Sequence, residues 1–234
     1  MTLSEIQKKL VKLKERGFIQ TLRRGPTGIG YTLERELGLT ESNIAIPDFG
    51  GRVELKSSRR DSSSLITLFT FNRGVWQISQ RKVIENYGYI DENGRRALYN
   101  TIWMGRDNTS GLSILLDKPE NQVKLIYKNT NELIAKWSIF VLVGKFLSKL
   151  ERIIFVLADS RTNEENKEEF HFNEAYYLED PSHENFFTAF NSSKIAIDIR
   201  MHLKENNVVR NHGTGIRIHE KDIVFLYENK RKLL

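Results

Sequence analysis

The chain has 234 residues, 39% hydrophobic and 28% charged, with a net charge of +6 and a pI of about 9.4. It reads as one soluble domain or two intimate lobes; no apolar run reaches membrane-spanning length, and no internal repeat or low-complexity linker is present. The lack of cysteine excludes disulfides and thiolate metal sites and suits an intracellular setting, while the basic balance points to a polyanionic partner.

Thr2-Leu-Ser-Glu5 is a capping-box pattern, and Leu3, Ile6, Leu10 and Leu13 continue it as a helical stripe that stops at Gly17. Lys8, Lys9, Lys12 and Lys14 fit a solvated face of that helix better than a DNA-facing arm. Thr21 to Thr27 is a basic turn whose Arg23 and Arg24 are candidates for phosphate contacts. In the helix that follows, Ile29, Leu33 and Leu37 form a stripe closed by Gly38. Glu34 stands at the border of that buried face, where a carboxylate without a partner is costly.

Pro47 to Lys56 is the most informative stretch. Asp48 ends a candidate strand and Gly50-Gly51 makes a sharp turn. Arg52 to Lys56 then alternates, with Val53 and Leu55 on one face and Glu54 and Lys56 on the other. Two carboxylates and an ammonium are thus gathered at one end of a hairpin. Such a set suits Mg²⁺, which takes one or two protein carboxylates and keeps several waters. The lysine beside it can hold or deprotonate a water aimed at phosphorus. A plain surface hairpin with a Glu–Lys pair would carry the same string.

Ser57 to Ser64 reads as a polar loop, in which Arg59 is a further candidate DNA contact beside Arg60. Leu65 to Phe71 is a strand whose mixed faces suggest burial on both sides, as at the centre of a sheet. Gln77 to Tyr87 is a helix with Ile78 and Ile84 inward, and Ala97 to Trp103 and Leu112 to Leu116 are short strands. Val123 to Tyr127 and Glu132 to Trp137 form a hairpin, Phe140 to Leu150 a helix, and Ile153 to Ala158 an apolar strand. A charged loop from Arg161 to Glu169 precedes the strand Phe170 to Leu178 and a short helix from Pro181 to Phe190.

The C-terminal part carries a second constellation. Between Lys194 and Leu203, Ile195, Ile197, Ile199 and Met201 share one strand face and Ala196, Asp198, Arg200 and His202 the other. From Gly215 to His219 the alternation sets Arg217 and His219 opposite Ile216 and Ile218, and the intervening loop holds Arg210 and His212. Arginine forks onto O6 and N7 of guanine, and aspartate accepts from the cytosine amino group, both in the major groove. A solvated sheet face with one Asp–Arg pair would look the same.

The ordered set Thr27-Gly-Ile-Gly-Tyr-Thr-Leu-Glu34, Ile46-Pro-Asp-Phe49, Val53-Glu-Leu-Lys56 and Leu65-Ile-Thr-Leu-Phe-Thr70 resembles the MutH/MvaI/BcnI branch of the PD-(D/E)xK nucleases. The resemblance continues through Trp137 to Asp159, Glu169-Phe-His-Phe172 and His212-Gly-Thr-Gly-Ile-Arg217, nearly the full length. It implies an α/β fold, a mixed-sheet nuclease core with an intimately attached recognition lobe, divided here into a catalytic lobe over 1–118 and a recognition lobe over 119–234. It implies a type II restriction endonuclease that uses Mg²⁺ to hydrolyse double-stranded DNA at a short GC-rich pseudopalindrome of the CC–GG kind. Asp48 and Glu54 would bind the metal, Lys56 would activate water, and Glu34 would complete the shell or orient Lys56. Asp198, Arg200, His212 and Arg217 would be base or near-base contacts, while His171, His183, His202 and His219 have no match and read as structural. A monomer in a bacterial cytoplasm, acting at the nucleoid beside a methyltransferase for the same site, is the expected setting. A MutH-like repair nickase, or a DNA-binding module without catalysis, are the alternatives.

Overall fold

The computed structural model describes residues 2–39, 49, 53–60, 65–71, 75–106 and 108–234. α1 (Leu3–Glu15) and β1 (Ile19–Gln20) come first, then α2 (Gly28–Glu36) and β2 (Glu54–Arg59). β3 (Leu65–Phe71), α3 (Gln80–Tyr87), β4 (Tyr89–Ile90) and β5 (Arg96–Trp103) follow. The meander β6 (Leu112–Asp117), β7 (Gln122–Tyr127) and β8 (Glu132–Ser138) runs into α4 (Ile139–Lys149). β9 (Arg152–Thr162) and β10 (Glu168–Pro181) form a long hairpin, and α5 (His183–Asn191) leads to β11 (Ile195–Leu203). β12 (Val209–Asn211), β13 (Thr214–His219), α6 (Glu220–Ile223) and β14 (Tyr227–Lys232) complete the order.

These elements make two compact units, one from residues 1–66, 147–182 and 223–234, the other from 67–146 and 183–222. The first is built on a five-stranded mixed sheet in the order β1-β10-β9-β2, with β14 also paired to β10. β2 lies parallel to β9, Glu54 beside Ile153 and Leu55 beside Ile154, whereas β9, β10 and β14 are antiparallel. Thr2 and Glu5 cap α1 reciprocally, as the sequence pattern requires. The stripes Ile6-Leu10-Leu13 and Ile29-Leu33-Leu37 then pack on Leu55, Ile154, Val156, Phe170 and Phe172. Each fully buried side chain of this kind contributes about 1.5–3 kcal/mol. With Leu55 committed to that core, strand alternation turns Glu54 and Lys56 to the opposite face.

The second unit holds a six-stranded sheet in the order β3-β13-β11-β5-β4, with β12 also on β11, and the three-stranded β6-β7-β8 sheet. Ile195, Ile197, Ile199 and Met201 are fully buried, as are Ile216 and Ile218. Both α3 and α5 pack on β11. Among the described residues no helix is long and apolar enough to cross a membrane.

Four expectations change. Ser57 to Arg59 belongs to β2 and not to a loop, because its parallel neighbour β9 supplies a continuous ladder. The charged loop expected over Arg161 to Glu169 is confined to 163–167, because β9 runs to Thr162 and β10 starts at Glu168. β3 stands at the end of its sheet's strand order and not at its centre. α3 starts at Gln80 under a Ser79 cap, with Val83 and Ile84 buried and Ile78 outside the helix.

Candidate active site and recognition face

β2 places Glu54 and Lys56 two residues apart on one face, and Lys56 Nζ lies 2.7 Å from Glu54 Oε1. Glu54 is only 6% exposed, and a second cation, Lys149 Nζ, lies 3.7 Å from the same oxygen. Phe49 bridges antiparallel to Val53, its N–H donating to the Val53 carbonyl at 2.9 Å, which brings the chain just before β2 back against it. Asp48 itself lies outside the described residues. α2 packs on β2, and Glu34 sits half-buried on that helix. A β-carbon at Gly30, one turn earlier, would stand 3.8 Å from Ser57 Oγ.

The basic turn before α2 is tightly folded. Thr21 Oγ1 donates to the Arg23 carbonyl at 2.7 Å, and the Leu22 N–H donates to Thr32 Oγ1 at 3.0 Å. A β-carbon on Gly28 would come within 2.3 Å of the Arg23 carbonyl oxygen, so only glycine fits there. The Arg23 guanidinium lies 3.8 Å from the centre of the Tyr31 ring, and Arg24 is exposed. Arg59 forks onto Glu168 at 2.5 and 2.7 Å and also reaches the carbonyls of Gly25 and Pro26 at 3.4 Å. Its guanidinium is therefore occupied in fastening that turn to the sheet.

Further along the Glu54 face, Arg60 bonds Asp159 at 2.8 Å, Asn173 at 2.6 Å and Glu174. The β-bulge between Phe172 and Glu174 makes room for this hub. Glu174 is held below the usual carboxylate range by the Tyr176 hydroxyl and then by Arg60, and Asp159 chiefly by Arg60.

In the second unit, register brings the C-terminal constellation together with β5. Asp198 lies opposite Thr101 and Gly215, Ala196 opposite Arg217, and Arg200 opposite Tyr99. Asp198 is 5% exposed. It accepts from Thr101 Oγ1 at 2.8 Å and from Arg217 Nη1 at 3.0 Å, with Arg200 Nε at 3.6 Å. One buried carboxylate thus aligns two arginines. The buried Nε of Arg200 has no hydrogen-bond acceptor among the described residues, whereas the side chain as a whole stays 35% exposed. His212 is tied beside it by its N–H to the Arg200 carbonyl at 2.9 Å.

The histidine ring of residue 212 lies 5.6 Å from that of His202. Arg95 Nη1 approaches His202 Nε2 at 3.5 Å, and Nδ1 of the same ring shares a hydrogen bond of 2.8 Å with Tyr99 Oη. Burial first, then Arg95, lowers the His202 pKa; burial and then Arg210 lower that of His212. His219 stacks on Trp103 at 5.2 Å. Thr101, Tyr99 and Lys149 escaped the sequence reading. The alternation of Tyr99, Thr101 and Trp103 is visible in the sequence, but the strand they pair with lies about a hundred residues on.

This arrangement can hold a hard cation at a buried carboxylate, place an ammonium beside it, and present aligned guanidinium groups to acceptors. The MvaI/BcnI restriction endonuclease family model matches residues 7–227. Among solved structures, the restriction endonuclease MvaI in complex with cognate DNA substrate is similar at 24% identity over 100% of both chains, with a TM-score of 0.82. MvaI in the absence of DNA is similar at 22% identity over 100% of this chain and 99% of that one, with a TM-score of 0.55. A search of curated protein sequences finds no match. The structural likeness shows a mixed α/β fold shared with the MvaI restriction endonuclease, consistent with a PD-(D/E)xK-type nuclease fold, and the match over nearly the whole chain shows the family. This chain belongs to the MvaI/BcnI restriction endonuclease family and is a type II site-specific deoxyribonuclease.

Proposed function

We propose that the enzyme cleaves double-stranded DNA in a Mg²⁺-dependent reaction at a short GC-rich pseudopalindrome of the CC–GG kind. The observation that carries this reading is the buried Glu54 with Lys56 at 2.7 Å, an acid and an ammonium on one strand face. The donor chemistry fits the ion. Mg²⁺ asks for one or two carboxylates and keeps several waters, which a buried acid beside an ammonium can accommodate. Glu54 and Asp48 would hold it, and Glu34 would complete the shell or orient Lys56. When bound, the ion supplies Lewis-acid polarisation of the phosphodiester and a water of lowered pKa. Lys56 orients the attacking water through its ammonium and neutralises charge that develops at phosphorus.

Arg200 and Arg217, aligned by Asp198, would read guanines, with His212 beside them. Arg23 and Arg24 would meet phosphate on the turn that Arg59 fastens. The solved complex of MvaI with cognate DNA supports duplex DNA as the substrate. One chain carries one such acid–lysine pair, so the enzyme acts as a monomer, in a cell where a methyltransferase protects the same site.

The test is plasmid cleavage with Mg²⁺, followed by mapping of the ends. Lys56→Ala should abolish cleavage and leave sequence-specific binding within about threefold of wild type. Near-normal cutting by that variant would remove Lys56 from the active site. Asp48→Asn should lose the Mg²⁺ response, since a neutral amide is a poor ligand for a hard cation.

A further inference from the structure

Glu54 meets a cation that no active-site motif contains. Lys149, the last residue of α4, stands 3.7 Å from the oxygen that Lys56 bonds at 2.7 Å. The register of the sheet explains why. Glu54 lies beside Ile153 in the parallel β2–β9 pair, and α4 ends only a short turn before β9 begins, so the helix terminus comes over the start of β2. That turn is locked, because the Tyr227 hydroxyl donates to the Leu150 carbonyl at 2.9 Å. Burial, and then the Glu54 charge, push the Tyr227 pKa up, which places this tyrosine within the field of the same carboxylate.

A lysine in a last helical turn complements the helix dipole wherever its ammonium points. That role does not require it to face a buried carboxylate on another element. At 3.7 Å, Lys149 pairs with Glu54 by charge and not by hydrogen bond, so this contact does not consume its N–H donors. Its side chain is 28% exposed, against 8% for Glu54, so one end of the pair opens to solvent and the other does not. An accessible ammonium whose donors meet no hydrogen-bond acceptor among the described residues, held at the Glu54 carboxylate, suits an oxygen of the phosphodiester backbone.

We propose that Lys149 is a second active-site cation, which binds a DNA phosphate delivered to the Glu54–Lys56 pair. The proposal rests on the reading of that pair as the active site. Lys149→Met keeps most of the stem and removes the charge. In EDTA, with cognate duplex, it should bind about 3–10-fold more weakly than wild type. Its log affinity against log salt should flatten by about one ion. With Mg²⁺, single-turnover cleavage should fall at least 10-fold, and Lys149→Arg should restore both affinity and slope. Unchanged metal-free affinity and salt slope in Lys149→Met would overturn the proposal, even if cleavage fell. Lys56→Met run in parallel separates the two ideas. If it cuts normally, the reading of the pair fails; if it is inactive while Lys149→Met keeps the wild-type slope, only Lys149 is excluded.

Discussion

Asp198 commits its oxygens within the protein, to Thr101, Arg217 and the flank of Arg200, so the proposed base reading falls to the arginines it aligns. A bidentate arginine–guanine contact carries about 1–3 kcal/mol of discrimination. Arg200→Ala and Arg217→Ala should therefore each reduce the cognate-to-random affinity ratio by about 10–100-fold in competition binding. Arg23→Ala should instead weaken all duplexes alike and flatten the salt slope by about one ion. An intact ratio in Arg200→Ala would make that residue a backbone contact. His202 and His212 titrate in the opposite sense to a histidine that gains a partner. Both folded pKa values lie below the usual 6.5, so the unfolded chain binds protons first as pH falls. Stability is intact above about pH 6.5 and declines as pH drops below it. NMR titration should place both imidazoles under 6.5, and a value above it for either would refute the burial argument. The alternating faces of these strands were legible in the sequence. The Thr101 and Tyr99 contacts were not, because strand register leaves no periodic mark.

At the scale of elements, the turn before α2 shows what a glycine motif does physically. Gly28 leaves space that the Arg23 carbonyl fills, and Arg59 fastens the same turn from β2 through Glu168 and two carbonyls. Gly28→Ala should force these atoms apart and cost about 1–3 kcal/mol, seen as a lower melting temperature together with weaker binding of every duplex. A variant with wild-type melting and affinity would show that the turn yields without consequence. The helices before β2 were readable because capping and apolar stripes are local, and α1 and α2 fall where those signals put them. The segment flanking the β9–β10 tip was misread for a physical reason. Its residues are charged and exposed, as in a loop, yet Arg161 and Glu169 face each other across the ribbon at 2.8 Å and extend the ladder. The end of β2 was misread likewise, since the polar Ser57 and Ser58 gain strand structure from β9 alone.

For the whole molecule, the count of active strands sets the course of the reaction. If the Glu54–Lys56 pair is the active site, as proposed, one chain attacks one phosphate at a time, so a supercoiled plasmid with one target should pass through a nicked circle before it becomes linear. Rates should scale with protein concentration, and scattering should give one chain per duplex. Direct linearisation with two chains bound would reject this stoichiometry. The interleaved make-up of the first unit bears on a different matter, the timing of synthesis. Glu54 and Lys56 emerge from the ribosome early, but the strand that aligns them begins at Arg152, and Leu233 joins the core under α1 last of all. A growing chain therefore carries its acid and its lysine on an unpaired segment for most of translation. Contacts so distant along the chain form late and slowly, so β2 gains its parallel neighbour only after residues 152–162 have been made. In a site-specific deoxyribonuclease, this order leaves Glu54 and Lys56 unaligned by β9 until that point in synthesis.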